Sequence, residues 1–243
     1  MVDFHTHILP GIDDGSKNAE ESIAMLRMLK EQGVKTVIAS SHFYADQESP
    51  ESFLRHREKA LLTLNDAIKG IGDLPEIIPG AEVTYFEGMS DCSDLKNLVC
   101  GNTNLILVEM PICNWNDRII NEVISIYKKQ KLIPVIAHID RYIDIYKNKR
   151  LAETFEGTPA LLQVNASFFG KRKFKRFALK MLKSGKINFI GTDCHNTDSR
   201  KPTMGEASEI INKAHLSDEL INLNNKALSV IHGELTSAEA YGR

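Results

Sequence analysis

The chain has 243 residues, 42% of them hydrophobic and 26% charged, with a formal net charge of −2. That length suits one α/β barrel domain and can bury a sizeable core. The near-zero charge gives no global pull toward nucleic acid or anionic membrane, and no apolar run approaches the roughly 20 residues that span a bilayer.

The opening "MVDFHTHILP" has no basic segment followed by an apolar stretch, so no signal peptide is expected. Cys92, Cys100, Cys113 and Cys194 show no CxxC spacing and no disulfide-framework density. Four reduced thiols in a cytoplasmic protein is the plain expectation.

Along the chain, short β-branched runs alternate with helical stretches. "VDFH" (2–5) opens the series. "SKNAEESIAMLRMLKEQG" reads as a helix with Ser16 as N-cap and Gly33 as its stop. "TVIASSH" (36–42) is the second strand, and "SPESFLRHREKALLTLNDAIKG" the second helix, running to Gly70. "EIIPGAEV" (76–83) and "NLILVEM" (104–110) are strands three and four. "NDRIINEVISIYKKQK" is a helix with a basic end, as a helix C-terminus favours. "IPVIAHI" (133–139), "ALLQVNA" (160–166) and "NFIGTDCH" (188–195) complete seven strands, with helices "KRFALKMLKSGK" and "TMGEASEIINKAHL" among the later segments. Several runs are continuously apolar, which suits parallel strands covered on both faces. Seven βα units imply a closed parallel (β/α) barrel, TIM-like and seven-stranded, in one domain over 1–243. "GELTSAEAYGR", from about 233, has weak periodicity and is expected to be a short tail.

Barrel active sites lie at the C-terminal ends of the strands. The expected strand ends carry His5 and His7, His42, Glu82, Glu109, His138, Asn165, and Asp193 with His195. Asp14 falls in the loop just past the first strand. Side chains at i and i+2 share a face, so His5 pairs with His7 and Asp193 with His195, while Cys194 points the other way. Isolated buried carboxylates are costly, and a metal cluster satisfies them together. Imidazole and carboxylate donors without thiolate suit manganese, iron or zinc. Asp14, Glu82, Glu109 and Asp193 contribute about −4, which three divalent ions would turn into a site near +2, suited to a phosphate monoester.

In order, "DFHTHILPGIDDG", "SSH", "GAE", "VIAHIDR", "QVNA" and "TDCHNTDSR" resemble the polymerase-and-histidinol-phosphatase (PHP) superfamily. More narrowly, they are similar to its bacterial branch of capsule and exopolysaccharide protein-tyrosine phosphatases, over residues 1 to about 230. The resemblance implies a distorted seven-stranded barrel holding three metal ions, with manganese the leading choice. It implies that His5, His7, Glu82 and Asp193 hold the first ion. Glu82 would bridge to a second held by Glu109 and His138, and Asp14, His42 and His195 would hold the third. It implies that Arg141 and Arg200 serve the phosphate. The implied partner is the phosphotyrosine tail of a bacterial tyrosine autokinase controlling polysaccharide synthesis. "SSHFY" departs mildly from the branch's usual Thr-Pro-His context.

Cys194 and Arg200 also have the spacing used by cysteine-dependent phosphatases. Such a loop curls backbone amides around phosphate, usually with glycine. Between the two stand His195, Asn196, Thr197, Asp198 and Ser199, with no glycine and one acid that repels phosphate. Cys194 is expected to be a packing residue. The expected chemistry is attack on phosphorus by hydroxide derived from a metal-acidified water, with metals and arginines absorbing charge on the equatorial oxygens.

The basic run "GKRKFKRF" (170–177) is either an attractor of phosphorylated or acidic peptide or a solvated helix face. Trp115 is expected to pack rather than stack on substrate. His56, His215 and His232 read as ordinary surface residues, and the amphipathic helices leave room for a homo-oligomer. The alternative function is a small-molecule phosphatase of the same superfamily, such as one for histidinol phosphate. A nuclease or a non-catalytic metal scaffold ranks below both.

Overall fold

A computed structural model describes residues 1–242. The strands are β1 (Val2–Thr6), β2 (Thr36–Ala39), β3 (His42–Phe43), β4 (Glu76–Pro79), β5 (Glu82–Thr84), β6 (Leu105–Glu109), β7 (Ile133–Ile136), β8 (Leu161–Asn165) and β9 (Phe189–Gly191). The helices are α1 (Ala19–Glu31), α2 (Pro50–Ala67), α3 (Asp117–Gln130), α4 (Ile139–Ile145), α5 (Ser167–Gly170), α6 (Lys175–Lys183), α7 (Met204–Lys213), α8 (Ser217–Ile231) and α9 (Ser237–Tyr241). The result is a mixed α/β fold built on a curled, wholly parallel sheet system.

Two hydrogen-bonded sheets form, in the orders β1-β2-β4 and β3-β5-β6-β7-β8-β9. The expected second and third strands are each split, so seven expected strands become nine. The splits fall at Ser40–Ser41 and Gly80–Ala81, where the extended ladder lapses. The halves nevertheless run in line. Ala39 pairs with Pro79 and His42 with Glu82, which is one unbroken register. The N–H of Gly80 donates to Ala39 O, and that of Glu82 to Ser41 O. At the other edge Thr6 bridges Cys194 in parallel, while the N–H of Asp193 donates to His5 O and that of His7 to Cys194 O.

Local chemistry sets the helix boundaries. Asn18, rather than Ser16, caps α1, accepting from the N–H of Glu21, with Glu20 and Glu21 in the first turn. The Ser16 hydroxyl is instead engaged with Asn18 O and Ser22 Oγ. Ser49 caps α2 with Pro50 following it, and Asn116 caps α3. The segment expected to be a tail folds back: Thr236 and Glu239 form a capping box on α9, Ala240 is buried, and the Tyr241 ring lies 5.2 Å from that of Phe189. The last residue of that stretch, Arg243, lies outside the described residues.

The strands are covered on both faces. Ile106 and Val108 of β6 join one apolar cluster with Leu26, Leu29 and Phe53 of the flanking helices. Their neighbours Leu105 and Leu107 join another, with Phe4, Phe189 and the α8 residues Ala227, Val230 and Ile231. This alternation gathers the C-terminal strand ends into a rim where polar side chains collect.

Candidate metal centre

All nine residues expected as metal ligands meet at that rim. Glu82, fully buried on β5, stands at the centre. Its Oε2 lies 3.1 Å from His5 Nε2, 3.3 Å from His7 Nε2 and 3.2 Å from His42 Nδ1, while Oε1 lies 2.7 Å from His138 Nε2. The ends of three strands, β1, β3 and β7, therefore aim four imidazoles at one carboxylate. Asp193 Oδ1 lies 3.7 Å from His5, 3.5 Å from His7 and 3.6 Å from His195. Asp14 Oδ1 is 3.2 Å from His195 Nε2 and 3.5 Å from His42 Nε2. Glu109 Oε1 is 3.6 Å from His138 Nε2.

The donors fall into overlapping groups whose ligand atoms lie within 4.8 Å of one another: His7, Asp14, His42 and His195; His5, Glu82 and His138; His5, His7 and Asp193; and His42, Glu82 and Glu109. His42 Nδ1 and His195 Nε2 are buried without a hydrogen-bond partner, although each faces a carboxylate oxygen. Nitrogen lone pairs and acid oxygens that converge without bonding one another fit shared cations.

The electrostatics agree. Burial pushes the Glu82 carboxyl up, but His5 and hydrogen bonds from His138, His5 and His7 outweigh it and hold the group well below the usual carboxylate range. Asp193 is likewise held low, because His5 and His7 overcome its burial. His195 is pushed down to about 4 by burial and by the nearby His7. Burial also lowers His138 and His42. His5 and His7 go the other way: burial lowers them, but Glu82 and Asp193, with Asp13 at His7, outweigh it and raise both. Ionised acids and neutral imidazoles are the forms that bind divalent metals, so an ion here would displace the protons these acids draw onto His5 and His7.

Two of these positions have left-handed backbones uncommon outside glycine: His138 at φ 31° and Asp193 at φ 55°. Each follows its strand, β7 or β9, and turns its side chain into the cluster. The N–H of His138 donates to Gln163 Oε1 at 2.5 Å, which holds that turn.

Both arginines are present. Arg141 donates from Nη1 to Glu109 Oε1 at 3.0 Å and from Nη2 to Asp193 Oδ2 at 2.7 Å. Arg200 donates from Nη2 to Asp193 Oδ1 at 2.9 Å, with Nη1 3.5 Å from Asp14 Oδ2. Asn165 Nδ2 donates to Asp193 Oδ2 at 3.2 Å.

Cys194 is wholly buried in the apolar core, and burial drives its thiol well above the ordinary value. It does not line the rim. Trp115 packs edge-on against Tyr142 and donates from Nε1 to Pro111 O. In the basic run, Lys173 donates to Asp144, Lys171 sits 3.9 Å from Asp140 and Asp144, and Phe174 is core.

Sequence reasoning missed the supporting residues. Asp13 contacts His7 and His42; Gln163 lies against His5 and His138; Thr84 donates to Glu109 Oε2; and Asp3 accepts from Thr192 beneath the cluster. Asp3 and Gln163 each stand two positions before a rim residue on the same strand, a spacing that signals a shared face.

A parallel α/β fold that brings five imidazoles and four carboxylates to one rim is the architecture of a metal-dependent enzyme. The chain belongs to the CpsB/CapC family of capsular polysaccharide synthesis, whose profile matches residues 1–228. It is 30% identical over 222 residues to the tyrosine-protein phosphatase CpsB of Streptococcus agalactiae serotype III (strain NEM316), covering 87% of this chain and 89% of that one. It is 32% identical over 219 residues to the tyrosine-protein phosphatase YwqE of Bacillus subtilis (strain 168), covering 88% and 84%. It also superposes, at a TM-score of 0.82 and 25% identity, on a crystal structure from work on YwqE of Bacillus subtilis and CpsB of Streptococcus pneumoniae, unique metal-dependent tyrosine phosphatases; 97% of this chain and 96% of that one are covered.

Proposed function

We propose that this protein is a metal-dependent protein-tyrosine phosphatase acting on the phosphotyrosine tail of a bacterial tyrosine autokinase that controls capsule or exopolysaccharide synthesis. The observation that carries this is Glu82, set among four imidazoles from the ends of three strands, with Arg141 and Arg200 reaching the same rim.

His5, His7, Glu82 and Asp193 would hold one ion, Glu82, Glu109 and His138 a second, and Asp14, His42 and His195 a third. The oxygen and nitrogen donor set, without thiolate, favours manganese over softer alternatives, with iron or zinc next. When bound, these ions supply Lewis acidity toward phosphoryl oxygen and acidify water for attack on phosphorus.

The chain's own groups bind and orient the ester. Each guanidinium has five N–H donors, and those not already spent on Glu109, Asp193 or Asp14 serve phosphate oxygens. Asp193 holds both arginines in place through its two oxygens. A phenolate is a good leaving group, so no general acid is assigned. The continuous register across the split strands and the Thr6–Cys194 bridge support a closed, distorted seven-stranded barrel as the scaffold. No helix is long and apolar enough to cross a membrane among the described residues. We place the activity in the cytoplasm, consistent with four free cysteines.

Parallel assays on a phosphotyrosine peptide and histidinol phosphate, with and without chelator, test this reading. The expected result is faster turnover of the peptide, abolished by chelation and restored by manganese. Faster turnover of histidinol phosphate reverses the substrate assignment, and chelator-resistant turnover removes the mechanism.

A further inference from the structure

The loop after β1 carries two consecutive acids whose side chains go separate ways. Asp14 is 64% exposed and faces His42 and His195. The Asp13 side chain is 4% exposed and makes only inward contacts. Its Oδ2 accepts from His7 Nδ1 at 2.8 Å and from the N–H of His42 at 3.0 Å. Its Oδ1 accepts from the N–H of Gly15 at 3.0 Å. Asp13 belongs to none of the ligand groups found among the described residues.

We propose that Asp13 is the positioning residue of the metal centre, fixing the tautomer of His7 and tying the strand that bears His42 to the strand that bears His7. This rests on the phosphatase reading above and names the device that prepares its ligands. A neutral imidazole carries one proton. With Nδ1–H donated to Asp13, the lone pair is left on Nε2. That nitrogen faces Glu82 Oε2 at 3.3 Å and Asp193 Oδ1 at 3.5 Å, so the ligating atom points into the cluster. A carboxylate behind a ligating imidazole also raises its basicity.

The same oxygen holds the backbone of His42, whose ring shares one ligand group with His7 and joins another with Glu82 and Glu109. One carboxylate thus sets the spacing between two strands and between two candidate ion positions. The loop leaves it little freedom. A Cβ at Gly15 would stand 2.3 Å from His7 O and 2.9 Å from Asp13 Oδ1, so only glycine lets the loop pack this closely. The N–H of Ser16 then donates to His7 O and closes the turn.

The test uses the full chain with zinc as a diamagnetic probe. Nitrogen-15 spectra of wild-type histidines should show His7 protonated at Nδ1; protonation at Nε2 overturns the proposal without any variant. Asp13→Asn keeps the size but can no longer accept at both oxygens. It should weaken zinc and manganese binding by about 10–100-fold in chelator competition. His7 should lose its single tautomer, and the metal-free thermal midpoint should fall only modestly, since one buried donor then faces the Asn amide N–H2. Unchanged affinity with an unchanged His7 tautomer overturns the proposal. Failure of the underlying reading looks different, since the wild-type protein itself would then bind no divalent ion.

Discussion

The Nη2 of Arg141 lies 2.7 Å from Oδ2 of Asp193, bringing a cation from the first turn of α4 onto a metal-ligand candidate after β9. The same guanidinium reaches Glu109, so its plane is fixed by two acids before any substrate arrives. Preset donors of this kind favour the charge that develops in phosphoryl transfer. Arg141→Ala should lower kcat on a phosphotyrosine peptide by about 10²–10³-fold. Arg141→Lys should recover little, because an ammonium cannot bridge two carboxylates and still offer a fork to phosphate. Steady-state kinetics check this; near-wild-type turnover by the lysine variant would remove the planar-fork argument.

Glu82 offers the most direct test of the cluster. Glu82→Gln removes the charge that four imidazoles share. Bound metal per chain, measured by elemental analysis, should fall, and activity should drop by at least about 100-fold. In the wild-type protein, a divalent ion at a thousand times its Kd should add about 4 kcal/mol of stability, because the unfolded chain presents no such site. A thermal midpoint indifferent to chelator would contradict this.

Cysteine chemistry gives an orthogonal prediction. Cys194 is buried in the core, so Cys194→Ser should keep kcat within about 3-fold while costing about 1–3 kcal/mol for the hydroxyl it buries. Alkylation of the folded protein should label exposed Cys113 first and half-buried Cys92 more slowly. Burial pushes the Cys100 thiol up to about 12, so it should stay unlabelled until unfolding. The sign for stability follows. Between the ordinary thiol value and about 12 the folded state keeps a proton that the unfolded chain has lost, so stability falls as pH rises through that window.

Gly191 tests how tightly the floor of the site is packed. A Cβ there would meet His5 Cβ at 2.5 Å and the His5 backbone nitrogen at 2.8 Å. Gly191→Ala should cost about 1–3 kcal/mol or more and displace His5, lowering metal content together with the thermal midpoint. Destabilisation with full metal content would show that His5 adjusts without leaving the cluster.

The convergence of the candidate ligands was readable because strand periodicity and rim position act through local spacing. His5 and His7 follow strand alternation at the end of β1, whereas Asp193 and His195 lie beyond β9, where the left-handed Asp193 turns the chain, and reach the same rim all the same. The supporting network was not readable, since its partners are set by tertiary approach. Nothing local separates Asp13 from Asp14; only the bend of the loop sends one inward. The lapses at Ser40–Ser41 and Gly80–Ala81 were hidden inside runs that look continuously extended. Helix α4 escaped notice because it starts at a left-handed His138 directly after β7. Helix α8 is apolar on its buried face, yet what it covers, Phe4 and Phe189 among others, is far away in sequence.

The seam between β1 and the segment after β9 has a consequence for biosynthesis. His5 and His7 are made roughly 190 positions before Asp193 and His195. At translation rates of about 5–20 residues per second, the early imidazoles wait roughly 10–40 s for the acid that completes their set. A nascent chain therefore cannot assemble the candidate centre until the segment with Asp193 and His195 has left the ribosome. A product truncated before Asp193 would lack that acid, His195 and Arg200 together, and with them the seam to β1.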